Sequence, residues 1–195
     1  MIDKTAVLKK LSKYERKIHS LEEYPGFARA GVLILLFPKN DGLRVILTVR
    51  TNSVETHKGQ ISLPGGMADP QDEDIVSTAL RETEEELGIS RNAVEILGLI
   101  DDRQTPSKFI VTPVVGYANA MPEIKPNSSE VAQVFDAPLS LFADLAHARS
   151  EERTINFADG KTWTGKIWYF DYEGRTIWGA TAFILMNLVE IVLGK

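Results

Sequence analysis

Arg81-Glu82-Thr83-Glu84-Glu85-Glu86-Leu87-Gly88 is the stretch on which the reading of this 195-residue chain turns. Just upstream, Val76, Ala79 and Leu80 join Thr83 and Leu87 at three- and four-residue steps. That spacing predicts a helix over 75–87 with one buried face, closed by Gly88 at the position where a left-handed residue ends a helix. Glu82, Glu85 and Glu86 then share another face, one turn or less apart. Like charges so placed cost a helix about 0.2–0.5 kcal/mol per pair, and acids in its last turn oppose the macrodipole. A cation among them reverses the sign. Hard divalent ions such as Mg²⁺ or Mn²⁺ prefer carboxylate oxygens and keep waters and substrate phosphates as further ligands. A solvated acidic face with an Arg81–Glu85 pair would be the plain alternative.

Upstream, Pro64-Gly65-Gly66 reads as a sharp turn whose glycines let the backbone approach a ligand closely. Residues 51–63 are polar and read as a loop. Further out, residues 3–22 have loose helical spacing (Val7, Leu8, Leu11, Tyr14, Ile18, Leu21), and Pro25-Gly26 ends the run. Strands are expected over 30–37 and 43–50, joined by a hairpin at Lys39-Asn40-Asp41-Gly42, then over 94–100 and 109–117. Residues 130–145 look mixed, with a short helix near the end. A late hairpin is expected around 154–157 and 166–172, and a strongly apolar final helix over 178–193. Interleaved strands and helices with an early hairpin predict an α/β (α+β) domain with a mixed sheet.

Bulk properties narrow the chemistry. The net charge of −5 and 25% charged residues suit a soluble globular domain and imply no basic surface, so nucleic acid is not expected as a partner. No cysteine is present, which removes thiol nucleophiles, disulfides and zinc–thiolate sites. No apolar run is long enough for a bilayer and none resembles a signal peptide, so no membrane role and a cytoplasmic location are expected.

Gly66, the following acidic stretch and Arg81-Glu82-x-x-Glu85-Glu86-x-Gly88-Ile89 resemble the Nudix box. The usual first Glu of that box matches Glu73 counted back from Arg81, with six residues instead of five after Gly66. Asp72 and Asp69 are its possible substitutes, and Thr83 stands where an aliphatic residue is usual. Leu47-Thr48-Val49-Arg50, Gly59 and Leu63-Pro64-Gly65-Gly66 are similar in spacing to the motif before the box in coenzyme A pyrophosphatases. Glu55 replaces that motif's second Arg.

The resemblance implies a Nudix-type α/β/α sandwich over 29–195, with a helical extension over 1–28 and a C-terminal helix beside the sheet. It implies a hydrolase that cuts a diphosphate linkage in a small nucleotide, acting as monomer or homodimer with Mg²⁺ or Mn²⁺. Coenzyme A is the first substrate; ADP-ribose, a nucleotide sugar or a dinucleoside polyphosphate is the alternative, and a non-catalytic nucleotide sensor is the alternative of another class. Glu82 and Glu86 are the expected principal metal ligands, with Glu85 completing the cluster and Arg81 orienting the glutamates. Glu130 is the first choice of general base and Glu85 the second. Arg50, His57, Lys58, Gly65 and Gly66 are the expected substrate contacts. Trp168 and Trp178 are expected to be core aromatics first and base-stacking candidates second.

Overall fold

A computed structural model describes residues 2–51, 59–156 and 160–194. Its spine is β1 (Ala28–Lys39), whose residues alternate between two faces. Leu33, Leu35 and Phe37 join one apolar cluster, with Ala79 and Leu87 of helix α2 (Ile75–Leu87). Ile34 and Leu36 join the other, with Val7 and Leu11 of α1 (Lys4–Leu11) and Leu185, Leu188 and Val189 of α3 (Gly179–Leu193). Helices therefore cover both faces of one sheet.

The sheet is mixed. β1 runs antiparallel to β2 (Gly42–Arg50) across the expected hairpin, and parallel to β7 (Phe109–Tyr117) over nine paired residues. β5 (Glu95–Leu99) and β6 (Arg103–Gln104) line the outer edge of β7. β8 (Val131–Pro138) lines the outer edge of β2. A second sheet holds β9 (Arg149–Asn156), β10 (Thr162–Tyr172) and β11 (Arg175–Trp178), all antiparallel.

Several expectations are corrected. Pro64-Gly65-Gly66 is not a simple turn. The chain bends at Pro64 between β3 (Ile61–Ser62), paired with β2, and β4 (Gly65–Met67), paired with β1. These short strands fill the gap where β1 and β2 splay apart. The helix expected over 3–22 stops at Leu11. Residues beyond it run extended because two carboxylates hold them: Tyr14 and the Lys17 amide donate to Asp101, and Arg16 and the His19 amide donate to Asp102. The first half of 130–145 is strand β8, and only Leu139–Ala143 forms a 3-10 turn. The late hairpin is extended by a third strand, β11. Trp178 is not a core residue: it is 41% exposed and stacks on Tyr169, whereas Trp168 packs against the core.

Candidate active site

Helix α2 has the bounds its periodicity predicts. The Asp74 side chain accepts from the Ser77 amide at the N-terminus, and Gly88 closes the helix with φ of +67°. Its C-terminal carbonyls do not go unpaired. The Lys125 amide donates to Leu87 O at 2.7 Å and the Asn127 amide to Glu86 O at 2.8 Å. Thr83, where an aliphatic residue was expected, is buried and donates its hydroxyl to Ala79 O.

The glutamates are not equivalent. Glu86 is almost completely buried, accepts a hydrogen bond from the Gly65 amide at 3.2 Å, and lies 3.9 Å from the Arg50 guanidinium. Burial pushes its carboxyl up to about 7, against the Gly65 hydrogen bond and the Arg50 charge; Glu82 and Glu130 add to the rise by repulsion. Glu82 is also raised, chiefly by burial, with Arg81 opposing and Glu85 and Glu130 adding. Glu130, delivered by the loop before β8, therefore faces both carboxylates. Its main chain is tied to the end of β2 by the Thr51 amide, and its carboxylate accepts from Asn127. Glu85 departs from the expected cluster. It is largely exposed and turns to Arg81 at 3.2 Å, so the plain ion-pair reading holds for that residue.

Arg81 is a brace. Its Nε and one terminal nitrogen grip both oxygens of Asp72 at 2.9 and 3.0 Å, and other N–H groups reach Glu82 at 2.8 Å and Met67 O at 3.1 Å. The bidentate Arg81 contact, chief among several hydrogen bonds, holds the Asp72 carboxyl well below the usual carboxylate range. Asp72, and not the exposed Glu73, thus occupies the partner position left open by the six-residue spacing. Arg81 acts on the site through the carboxylates it fixes.

The paired glycines are required by their neighbours. A Cβ on Gly66 would lie 2.3 Å from a Glu82 carboxylate oxygen. Gly65 has φ of +144°, and a Cβ there would lie 2.3 Å from Gly31 O in β1. Their closeness serves the box carboxylates and the sheet. Arg50 is half-exposed, and its buried Nε has no hydrogen-bond partner among the described residues. An orphaned guanidinium donor beside the carboxylates leaves capacity for an anion. His57, Lys58 and Glu55 lie outside the described residues. A cleft of about 260 Å³ opens on the other side of β2, lined by Val49, Gln60, Ile61, Gln133, Arg175 and Trp178 among others.

The Nudix domain model matches residues 28–156, which run from β1 through β9 and include α2. The chain belongs to the Nudix family. Among its relatives, Nudix hydrolase 15, mitochondrial, of Arabidopsis thaliana is 40% identical over 173 residues, covering 84% of this chain and 58% of the plant protein. The chain thus spans little more than half of that relative's length. The Nudix hydrolase NudL of Photorhabdus laumondii is 34% identical over 150 residues, 76% of each chain. In fold, a MutT/nudix family protein from Enterococcus faecalis matches with a TM-score of 0.51 at 18% identity, covering 100% of this chain and 71% of that one.

The donor set of this Nudix chain fits a divalent cation. Among the described residues, no three His, Asp or Glu side chains converge closely enough to hold an ion by themselves. Glu86, however, is a buried carboxylate and Glu82 a half-buried one, and burial together with neighbouring acids (Glu82 and Glu130 for Glu86, Glu85 and Glu130 for Glu82) opposes the anionic form of each. Mg²⁺ binding through one or two carboxylates, completed by water and substrate phosphates, suits that pair.

Proposed function

We propose that this chain hydrolyses a diphosphate linkage in a nucleoside diphosphate derivative, with Mg²⁺ or Mn²⁺ held by Glu82 and Glu86. The observation that carries the reading is the pair of carboxylates, Glu86 buried and Glu82 half-buried, each destabilised as an anion, with Arg81 bracing Glu82 and the Arg50 guanidinium beside Glu86. When bound, the cation supplies Lewis-acid charge neutralisation and lowers the pKa of a water. Arg50, whose side chain is partly exposed beside Glu86, offers its terminal guanidinium nitrogens to a phosphate oxygen of the substrate. Glu130 takes a proton from the attacking water at a carboxylate oxygen. The water oxygen bonds to phosphorus, the bridging P–O bond breaks, and its electron pair leaves on the departing phosphate.

Coenzyme A is the substrate implied by the resemblance of Leu47-Thr48-Val49-Arg50, Gly59 and Pro64-Gly65-Gly66 to the motif before the box in coenzyme A pyrophosphatases, which likewise implies adenosine 3′,5′-bisphosphate and 4′-phosphopantetheine as products. The test is a panel of coenzyme A, ADP-ribose, a nucleotide sugar and a dinucleoside polyphosphate, incubated with Mg²⁺, with Mn²⁺ and with chelator. Metal-dependent release of the two coenzyme A products supports the reading. Cleavage of another member first would reassign the substrate, and binding without any metal-dependent product would leave a nucleotide sensor.

A further inference from the structure

The loop that delivers Glu130 is organised around one residue. Asn127 precedes the turn before β8, and its main chain and side chain are both engaged. Its amide donates to Glu86 O at 2.8 Å, and its carbonyl accepts from the Glu130 and Val131 amides at 3.0 and 2.9 Å. Its Oδ1 accepts from the Ser129 amide at 3.2 Å and from the Ser129 hydroxyl at 2.7 Å. Its Nδ2 donates to Glu130 Oε1 at 3.2 Å. The same turn is anchored to the end of β2, where the Thr51 amide donates to Glu130 O and the Thr51 hydroxyl to Ser129 O.

The neighbours dictate which way the Asn127 carboxamide faces. Exchanging its oxygen and nitrogen would set Nδ2 against the Ser129 N–H, a donor, and Oδ1 against the ionised Glu130 carboxylate, which only accepts. An Asn that merely shapes a turn uses its oxygen on the backbone two residues ahead and leaves its nitrogen to solvent. Here the nitrogen is turned onto a carboxylate. Glu130 needs such a partner. It adds to the repulsion felt by Glu82 and Glu86 and receives the same repulsion in return. It is only half-buried, so water can draw its side chain away from them. A guanidinium or ammonium at this place would hold it more tightly, but would also neutralise the charge with which a base takes up a proton. A carboxamide N–H fixes the direction and leaves the charge.

We infer that Asn127 is a positioning residue, whose side-chain N–H keeps the Glu130 carboxylate turned toward Glu82 and Glu86, where the attacking water is to lose its proton. Its importance for turnover rests on the proposed reading of Glu130 as the base of a hydrolase. Its main-chain bond to Glu86 is a separate matter and survives any substitution except proline.

The experiment follows turnover of coenzyme A with Mg²⁺. Asn127→Ala and Asn127→Asp keep the main-chain bonds to Glu86, Glu130 and Val131, so both should fold, with Mg²⁺ affinity little changed. Asn127→Ala should lower kcat roughly 10–100-fold with KM almost unaltered. Asn127→Asp keeps the acceptor for Ser129 but sets a like charge against Glu130, so it should lose at least as much. A role confined to the turn ranks the two the other way, because Asp preserves the turn contacts and Ala does not. In a Glu130→Gln background, Asn127→Ala should cost less than about twofold, since the base through which it acts is already gone. An equal loss in both backgrounds, or Asn127→Asp at nearly full activity, overturns the inference. Where coenzyme A is not hydrolysed, or Glu130→Gln keeps full kcat, it is the hydrolase or base reading that fails. Crystal structures of the unmodified protein and of Asn127→Ala then decide the positioning alone. A Glu130 carboxylate that swings away without Nδ2 sustains it, and one that keeps its place refutes it.

Discussion

Replacing Glu86 with Gln should stabilise the metal-free protein at pH 8, although it removes a box carboxylate. The folded environment holds the Glu86 carboxyl at about 7, against an ordinary 4.5. Between those values the native state keeps a proton that the unfolded chain has lost. Native stability therefore falls as pH rises through this window, and the whole penalty is present above pH 7. At about 1.4 kcal/mol per pH unit the penalty is about 3 kcal/mol. Glu82 is shifted the same way, while Asp72, Asp74 and Asp102 are shifted down and act only at lower pH. A Gln side chain can still accept from the Gly65 amide and carries no charge to desolvate. Thermal unfolding in chelator from pH 5 to 8 measures this. For a chain of this size, about 3 kcal/mol corresponds to roughly 6–12 °C in Tm. Glu86→Gln should melt above the unmodified protein at pH 8 and converge with it near pH 5, and saturating Mg²⁺ should reverse the order at pH 8. A variant equally destabilised at both pH values in chelator would refute the reasoning.

Four further outcomes follow from the same geometry. Gly66→Ala should fold, because the atom it strikes is the movable end of Glu82, yet should lose most metal-dependent turnover; Gly65→Ala meets the backbone of β1 and should lower Tm sharply by circular dichroism. Arg81→Lys gives up the paired contacts to Asp72, and turnover should fall roughly 10–100-fold while Mg²⁺ affinity, read by calorimetry, weakens in step. Glu130→Gln should lower kcat about 10²–10⁴-fold with little change in Mg²⁺ affinity, and an unchanged pH–rate profile would remove Glu130 as base.

Helix α2 was legible because it carries two signals, apolar spacing along it and Gly88 at its end; the Asp74 cap at its start emerged only from the structure. β1 and β7 were legible as dense apolar runs. The N-terminal helix was read too long because Ile18 and Leu21 keep helical spacing, yet both stay exposed, and the segment is held by Asp101 and Asp102 from far along the chain. β8 was hidden because it is an outer strand whose residues are only partly buried. At the site, Glu82, Glu86 and Glu130 could be named from the sequence, but their inequality could not, since it depends on which carboxylate the sheet buries. Asp72 was one of two acids open as substitutes, and only the folded approach of Arg81 chose between them.

The amide of Asn127 is fastened to the carbonyl of Glu86 itself, and three residues on the same short segment delivers Glu130. The offset between the two acids is thus written in peptide groups, which every residue except proline possesses. The main-chain separation of the two acids is therefore kept through most side-chain changes at 125–129, while the Asn127 side chain, which donates to the Glu130 carboxylate, sets where that carboxylate points. A proline at 125 or 127 is the substitution that would break it.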